Sequence, residues 1–178
     1  MILSFIKEKL FIEHSPVYNF GTIVGRHAIL LCEITQADRK DSKKGLMTLS
    51  VDLYKINEEW CDRVCYNETD DKSEFCQIVH KLIHAYSDCI VDYILQRQGT
   101  PEWKTRIEYI VKKETEFFNI LGSNDIKFVW YEYTSILLEM IDSFGKSYFD
   151  NVAGKAVKTG VFLGSWLDES LCKRNKRK

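Results

Sequence analysis

Apolar residues recur along nearly the whole chain with a period near 3.6, and only two prolines, Pro16 and Pro101, interrupt its 178 residues. That combination constrains the fold more than any other feature. A period of 3.6 lines apolar side chains along one face of a helix, and a chain that rarely meets proline has few forced breaks. The expectation is an all-α fold: a compact single-domain bundle of six to eight helices. The length suffices for one domain with its own core. Charged residues make up 29% of the chain and nearly cancel, at net −1, so neither overall disorder nor a polyanionic partner for the whole domain is expected.

Segment by segment, Ile2, Phe5, Ile6 and Leu10 outline a short amphipathic helix ending before Ser15-Pro16. Ile23, His27, Leu30, Leu31 and Ile34 mark a second helix over roughly 20–37, and the polar run 38–44 reads as a loop. A third helix spans roughly 46–66, followed by an acidic loop at 67–72. Ser73 suits the N-cap of a helix over roughly 74–97, with Phe75, Ile78, Val79, Leu82, Ile83, Tyr86, Ile90 and Ile94 on its apolar side. Thr100-Pro101 opens a helix over roughly 102–121 with Trp103, Ile107, Ile110, Val111, Phe117, Phe118 and Leu121 facing inward. One long helix is expected from Asp125 to about Val152, and a last one over roughly 155–173. Short apolar runs are ambiguous, so His27–Thr35 and Leu46–Val51 admit a β-hairpin as the alternative. The domain is taken as residues 1–172, with a basic tail at 173–178 that carries five cations in six residues.

Few residues promise chemistry. His80 and His84 in HKLIH share a helix face and could share a metal, but no third ligand is obvious; Glu74, Cys76 and Asp88 are the neighbours in sequence. The ordinary reading is a pair of boundary histidines, and no metal site is assigned. Cys61 and Cys65 are also four apart and read as small apolar side chains in a reduced core. With no secretory signal readable at the N-terminus, all six cysteines are expected to be free thiols in a reducing compartment. Glu114 and Glu116, beside Lys112 and Lys113, read as a solvated helix face, as do Glu132, Glu139 and Asp142 on the following helix. Gly154, Gly160 and Gly164 would let the last helix approach a neighbour closely. No phosphate-binding loop, nucleophile elbow or Cys–His pair is readable, so no cofactor and no catalytic residue is expected.

One stretch, LSVDLYKINEEW, is more specific. Leu49, Leu53, Ile56 and Trp60 fall at i, i+4, i+7 and i+11, and Glu58 sits two residues before the Trp. This pattern resembles the third homology motif of the Bcl-2 family of apoptosis regulators: four apolar anchors on an amphipathic helix, with an acid between the third and fourth. Asn57 stands where the family has a small residue, and Glu58 where it has Asp. TPEWKTRIEYIV is similar to the Trp-x-Arg-apolar core of the first homology motif, carried here by Trp103 and Arg106 with one extra residue between them. VFLGSWLDESL resembles the family's late helices, without the Gly-Gly-Trp of the second motif. Such an outline suits a divergent member, for instance a viral one.

The resemblance implies a non-catalytic interaction protein, a regulator of apoptosis or innate signalling. It would receive an amphipathic partner helix in a surface groove, with Arg106 pairing the partner's acid and Trp103 beside it. The alternative is a helical bundle that binds a small ligand or metal through His80 and His84, with or without enzymatic activity. Self-association through exposed aromatics is possible. Nucleic acid is not expected except as a contact of the basic tail, which could also serve as a nuclear signal. No run of eighteen apolar residues predicts a membrane span, and an intracellular, cytoplasmic location is expected.

Overall fold

The computed structural model describes residues 19–65, 74–95, 102–121 and 124–175, and the side chains of these except 117–121, 124–126 and 171–175. The expected N-terminal helix, the acidic loop, the Ser73 and Thr100-Pro101 caps, the inward placement of Phe117, Phe118 and Leu121, and the tail side chains lie outside the described residues. Six helices account for the described regular structure: α1 (Phe20–Arg39), α2 (Lys43–Cys65), α3 (Glu74–Leu95), α4 (Glu102–Leu121), α5 (Asn124–Asp142) and α6 (Phe149–Asn175). No strand occurs among the described residues. The β-hairpin alternative is overturned, since His27–Thr35 lies inside α1 and Leu46–Val51 inside α2.

α1 is the central element. It packs on α2, α3, α5 and α6, and fourteen of its residues are buried. A helix surrounded this way is apolar on nearly every side, which is why its run could be mistaken for a strand. Asn19 caps it, with its side-chain oxygen accepting from the Thr22 N–H at 2.8 Å. Asp168 of α6 accepts from the Phe20 N–H at 2.9 Å and from Arg63 of α2 at 2.6 Å, so one carboxylate ties three helices together. An aromatic cluster fills the interior: Trp60 lies 6.1 Å from Phe20 and 5.4 Å from Trp130, which in turn lies 5.4 Å from Tyr86.

The single helix expected over 125–152 is broken in two. α5 ends at Asp142 and α6 begins at Phe149. Gly145 adopts φ +81°, a left-handed conformation that costs glycine little and other residues more. The Phe144 N–H then bonds the Ile141 carbonyl, and the Lys146 N–H bonds that of Ser143 at 2.9 Å. Phe144 and Phe149 close the corner edge to face, centroids 5.2 Å apart. Apolar spacing alone ran through this turn because both phenylalanines face inward.

Side-chain placement departs from expectation at a few positions. Trp103 and Val111, expected inward, are 41% and 42% exposed, and Phe162 is 52% exposed. Glu114, expected in solvent, is 1% exposed because it follows Ile110 by one turn on the inner face of α4. Glu132 and Glu139 do face solvent. Among the described residues no helix is long and apolar enough to cross a membrane.

Candidate metal centre

α2 and α3 run antiparallel as a hairpin. At its loop end Cys65, the last residue of α2, is disulfide-bonded to Cys76 in the first turn of α3, with Cα atoms 5.8 Å apart. This overturns the reading of all six cysteines as free thiols, and with it the cysteine part of the case for a reducing compartment. Cys32, Cys61 and Cys89 are free thiols, as expected, and all three are buried.

One helical turn further from the loop, each helix offers metal-binding side chains. Cys61 on α2 and His80 and His84 on α3 bring one ligand atom each to within 4.8 Å of one another. Four-residue spacing puts the histidines on one face, and their rings stack with centroids 5.9 Å apart. Glu58, one turn before Cys61, bonds the group from its flank. Its Oε1 lies 2.8 Å from His84 Nε2 and 3.8 Å from His80 Nδ1. A carboxylate only accepts, so His84 Nε2–H donates to Glu58. Tyr54 also bonds Glu58, an interaction that raises its own pKa, and its ring lies 4.9 Å from that of His84.

The electrostatics suit a site that takes up a cation. Burial, then the charges of Glu58 and Asp62, push the Cys61 thiol up to about 12. Without an ion Cys61 is therefore a thiol, not a nucleophile. A divalent cation would displace that proton, form a sulfur bond and offset the Glu58 charge. Zinc bonds of 2.0–2.3 Å imply ligand atoms roughly 3.3–3.7 Å apart at a tetrahedral centre, so the group must contract by about an ångström. Side-chain rotation supplies that, because both histidines are only half-buried.

The expected neighbours of the histidines do not complete the site. Glu74 and Asp88 are exposed, and Cys76 is committed to its disulfide. The missing ligand comes from the preceding helix. It was readable in principle: counting outward from the loop, Cys65 and Cys61 mirror Cys76 and His80 across an antiparallel hairpin.

The motif helix is α2 itself. Leu53, Ile56 and Trp60 are buried in the protein's own core, and Leu49 is half-buried against it. Asn57 points inward as well. Its Oδ1 accepts from the Ser87 hydroxyl at 2.9 Å, and Ser87 Oγ lies 2.9 Å from His27 Nε2. The Tyr133 hydroxyl meets His27 Nδ1 at 3.0 Å. Because Ser87 donates to Asn57, it accepts from His27 Nε2–H. His27 is thus neutral, and burial lowers its pKa to about 3. Glu58, the motif's acid, engages His84. Arg106 pairs with Asp92 at 3.2 Å and is 40% exposed, one turn from the exposed Trp103. Two surface depressions, about 370 and 640 Å³, lie around the end of α1, the start of α2 and the turn at 143–148, and neither is lined by Arg106 or Trp103.

No known protein family, curated protein or solved structure matches this chain.

Proposed function

We propose that the protein is a zinc-binding helical bundle in which Cys61, His80 and His84 hold one divalent ion between α2 and α3, with Glu58 orienting His84. The observation that carries this reading is the convergence of the three ligand atoms within 4.8 Å, from two helices, beside a carboxylate bonded to one of the histidines. One sulfur and two imidazole nitrogens form a borderline-soft set that favours zinc among abundant divalent ions. A site with ligands from both helices staples the hairpin, and binding to the folded state alone stabilises it by about 2.7 kcal/mol at a hundredfold excess over Kd.

Metal analysis of purified protein tests the reading. One equivalent of zinc is expected in the wild type and none in His80→Ala, with both proteins helical by circular dichroism. Wild-type protein that stays metal-free after incubation with zinc contradicts it.

A second reading is the helix-receiving regulator of cell death or innate signalling that the Bcl-2 resemblance implies. It is supported by the α4 surface to which the resemblance points, where Trp103 is 41% exposed and Arg106, one turn on, is 40% exposed and paired with Asp92. Fluorescence polarisation with labelled death-motif helices, and with the same helices carrying Glu for their central Leu, should give saturable binding that the change abolishes. Absence of binding to every such helix by folded protein rejects it.

A further inference from the structure

The Cys65–Cys76 disulfide sits one helical turn from two of the ligands. Cys61 precedes Cys65 by four residues on α2, and His80 follows Cys76 by four on α3, so the disulfide and the metal group are successive rungs of one hairpin. Cys61, Cys65 and Cys76 are all buried on the inner side of their helices. Opening the disulfide would therefore add two thiols one turn from a group that already presents one thiol and two imidazoles.

We propose that this disulfide is a redox switch on the metal centre, and the proposal rests on the zinc-binding reading above. In the oxidised protein the available set is Cys61, His80 and His84: one sulfur and two nitrogens. In the reduced protein it becomes Cys61, Cys65, Cys76 and His80, two four-residue pairs facing each other, with three sulfurs and one nitrogen. The ion moves one turn toward the loop and releases His84. Two added thiolates replace one imidazole and complete a four-ligand set of soft donors that suits zinc, so reduction tightens binding.

The switching step is a two-electron exchange. A thiolate of a partner dithiol attacks one sulfur of Cys65–Cys76, the S–S bond breaks, and the other sulfur leaves as a thiolate and takes a proton. The partner's second thiol then resolves the mixed disulfide. Cys65 and Cys76 end as thiols and the partner as a disulfide. Zinc binding to the new set displaces the thiol protons into solvent.

Cobalt(II) reports sulfur ligation directly and tests the proposal on the full chain. Metal-stripped protein with its disulfide intact is titrated with cobalt, and the titration is repeated after reduction by a phosphine, which reduces the disulfide without competing for the ion. The oxidised form should bind one equivalent with the sulfur-to-cobalt charge-transfer band of a single thiolate. On reduction, that band should rise about threefold per cobalt, as one thiolate becomes three, and the affinity should tighten tenfold or more. Equal spectra and affinities in the two forms overturn the switch while the metal reading stands. Failure of the oxidised form to bind cobalt overturns both, and binding by the oxidised form alone overturns the switch only. The double variant Cys65→Ser with Cys76→Ser should keep the single-thiolate spectrum under both conditions. A reduced-form gain that persists in that variant would assign the added sulfur to other cysteines and overturn the switch.

Discussion

Several polar residues of this protein do their work inside the core. Glu114 is the sharpest case. Its carboxyl accepts from the Thr134 hydroxyl, which in turn accepts from Tyr86 at 2.7 Å. Burial raises its pKa from 4.5 to about 9, with a hydrogen bond from Trp130 pulling the other way. Folded protein thus holds this proton between about pH 4.5 and 9 while unfolded chain has lost it. The folded state binds more protons there, so the contribution is full below 4.5 and is lost as pH rises through 9, at up to about 1.4 kcal/mol per pH unit. Glu114→Gln, a neutral isostere, removes that slope. Thermal unfolding from pH 5 to 9 should show the variant gaining on the wild type as pH rises; a constant difference rejects the assignment. His27 works in the opposite direction, between about 6.5 and 3, where the unfolded chain takes up the proton that the buried ring refuses. Neither role could be read from sequence. Glu114 sits among Lys112, Lys113 and Glu116, so local charge pointed outward, and its partners Thr134 and Tyr86 come from other helices.

At the scale of elements, helix existence was legible and helix pairing was not. The periodicity located α1 to α4 within a few residues, because each buries one face or, for α1, nearly its whole circumference. It missed the break between α5 and α6, where one glycine with positive φ turns the chain without any loss of apolar spacing. Gly160 and Gly164 of the last helix are the packing devices that their spacing predicts. A side chain at Gly160 would stand 3.0 Å from the Val24 carbonyl, and one at Gly164 would overlap the Phe20 carbonyl and the Gly21 Cα. A side chain at Gly21 would meet the same contact, 2.9 Å from the Val161 carbonyl oxygen. The obstacles are backbone atoms, so α1 and α6 must separate to admit even one methyl. Gly164→Ala should therefore destabilise the fold by about 1–3 kcal/mol despite its better helix propensity, as read from urea unfolding. A stability equal to or above the wild type would mean that the two helices do not approach as closely as described.

For the molecule as a whole, the all-α class followed from periodicity and scarce proline, while the candidate site depended on tertiary register. His80 and His84 were visible as a pair. Their third partner was hidden because Cys61 belongs to another helix and looked like core, and Glu58 because the motif pattern gave it a different role. The same hairpin that buries Leu53, Ile56 and Trp60 against α1 turns Glu58 and Cys61 toward α3. The motif stretch thus serves two faces at once, an inner apolar one and a flanking ligand-bearing one. A zinc titration of metal-stripped wild-type protein, followed by calorimetry and by heat unfolding, probes this arrangement most directly. One equivalent should bind, raise the melting temperature and lose affinity steeply on acidification, since each ligand exchanges a proton for the ion; Cys61→Ala should abolish the rise. Folded wild-type protein whose melting temperature ignores zinc, with no binding heat, would contradict the metal centre outright.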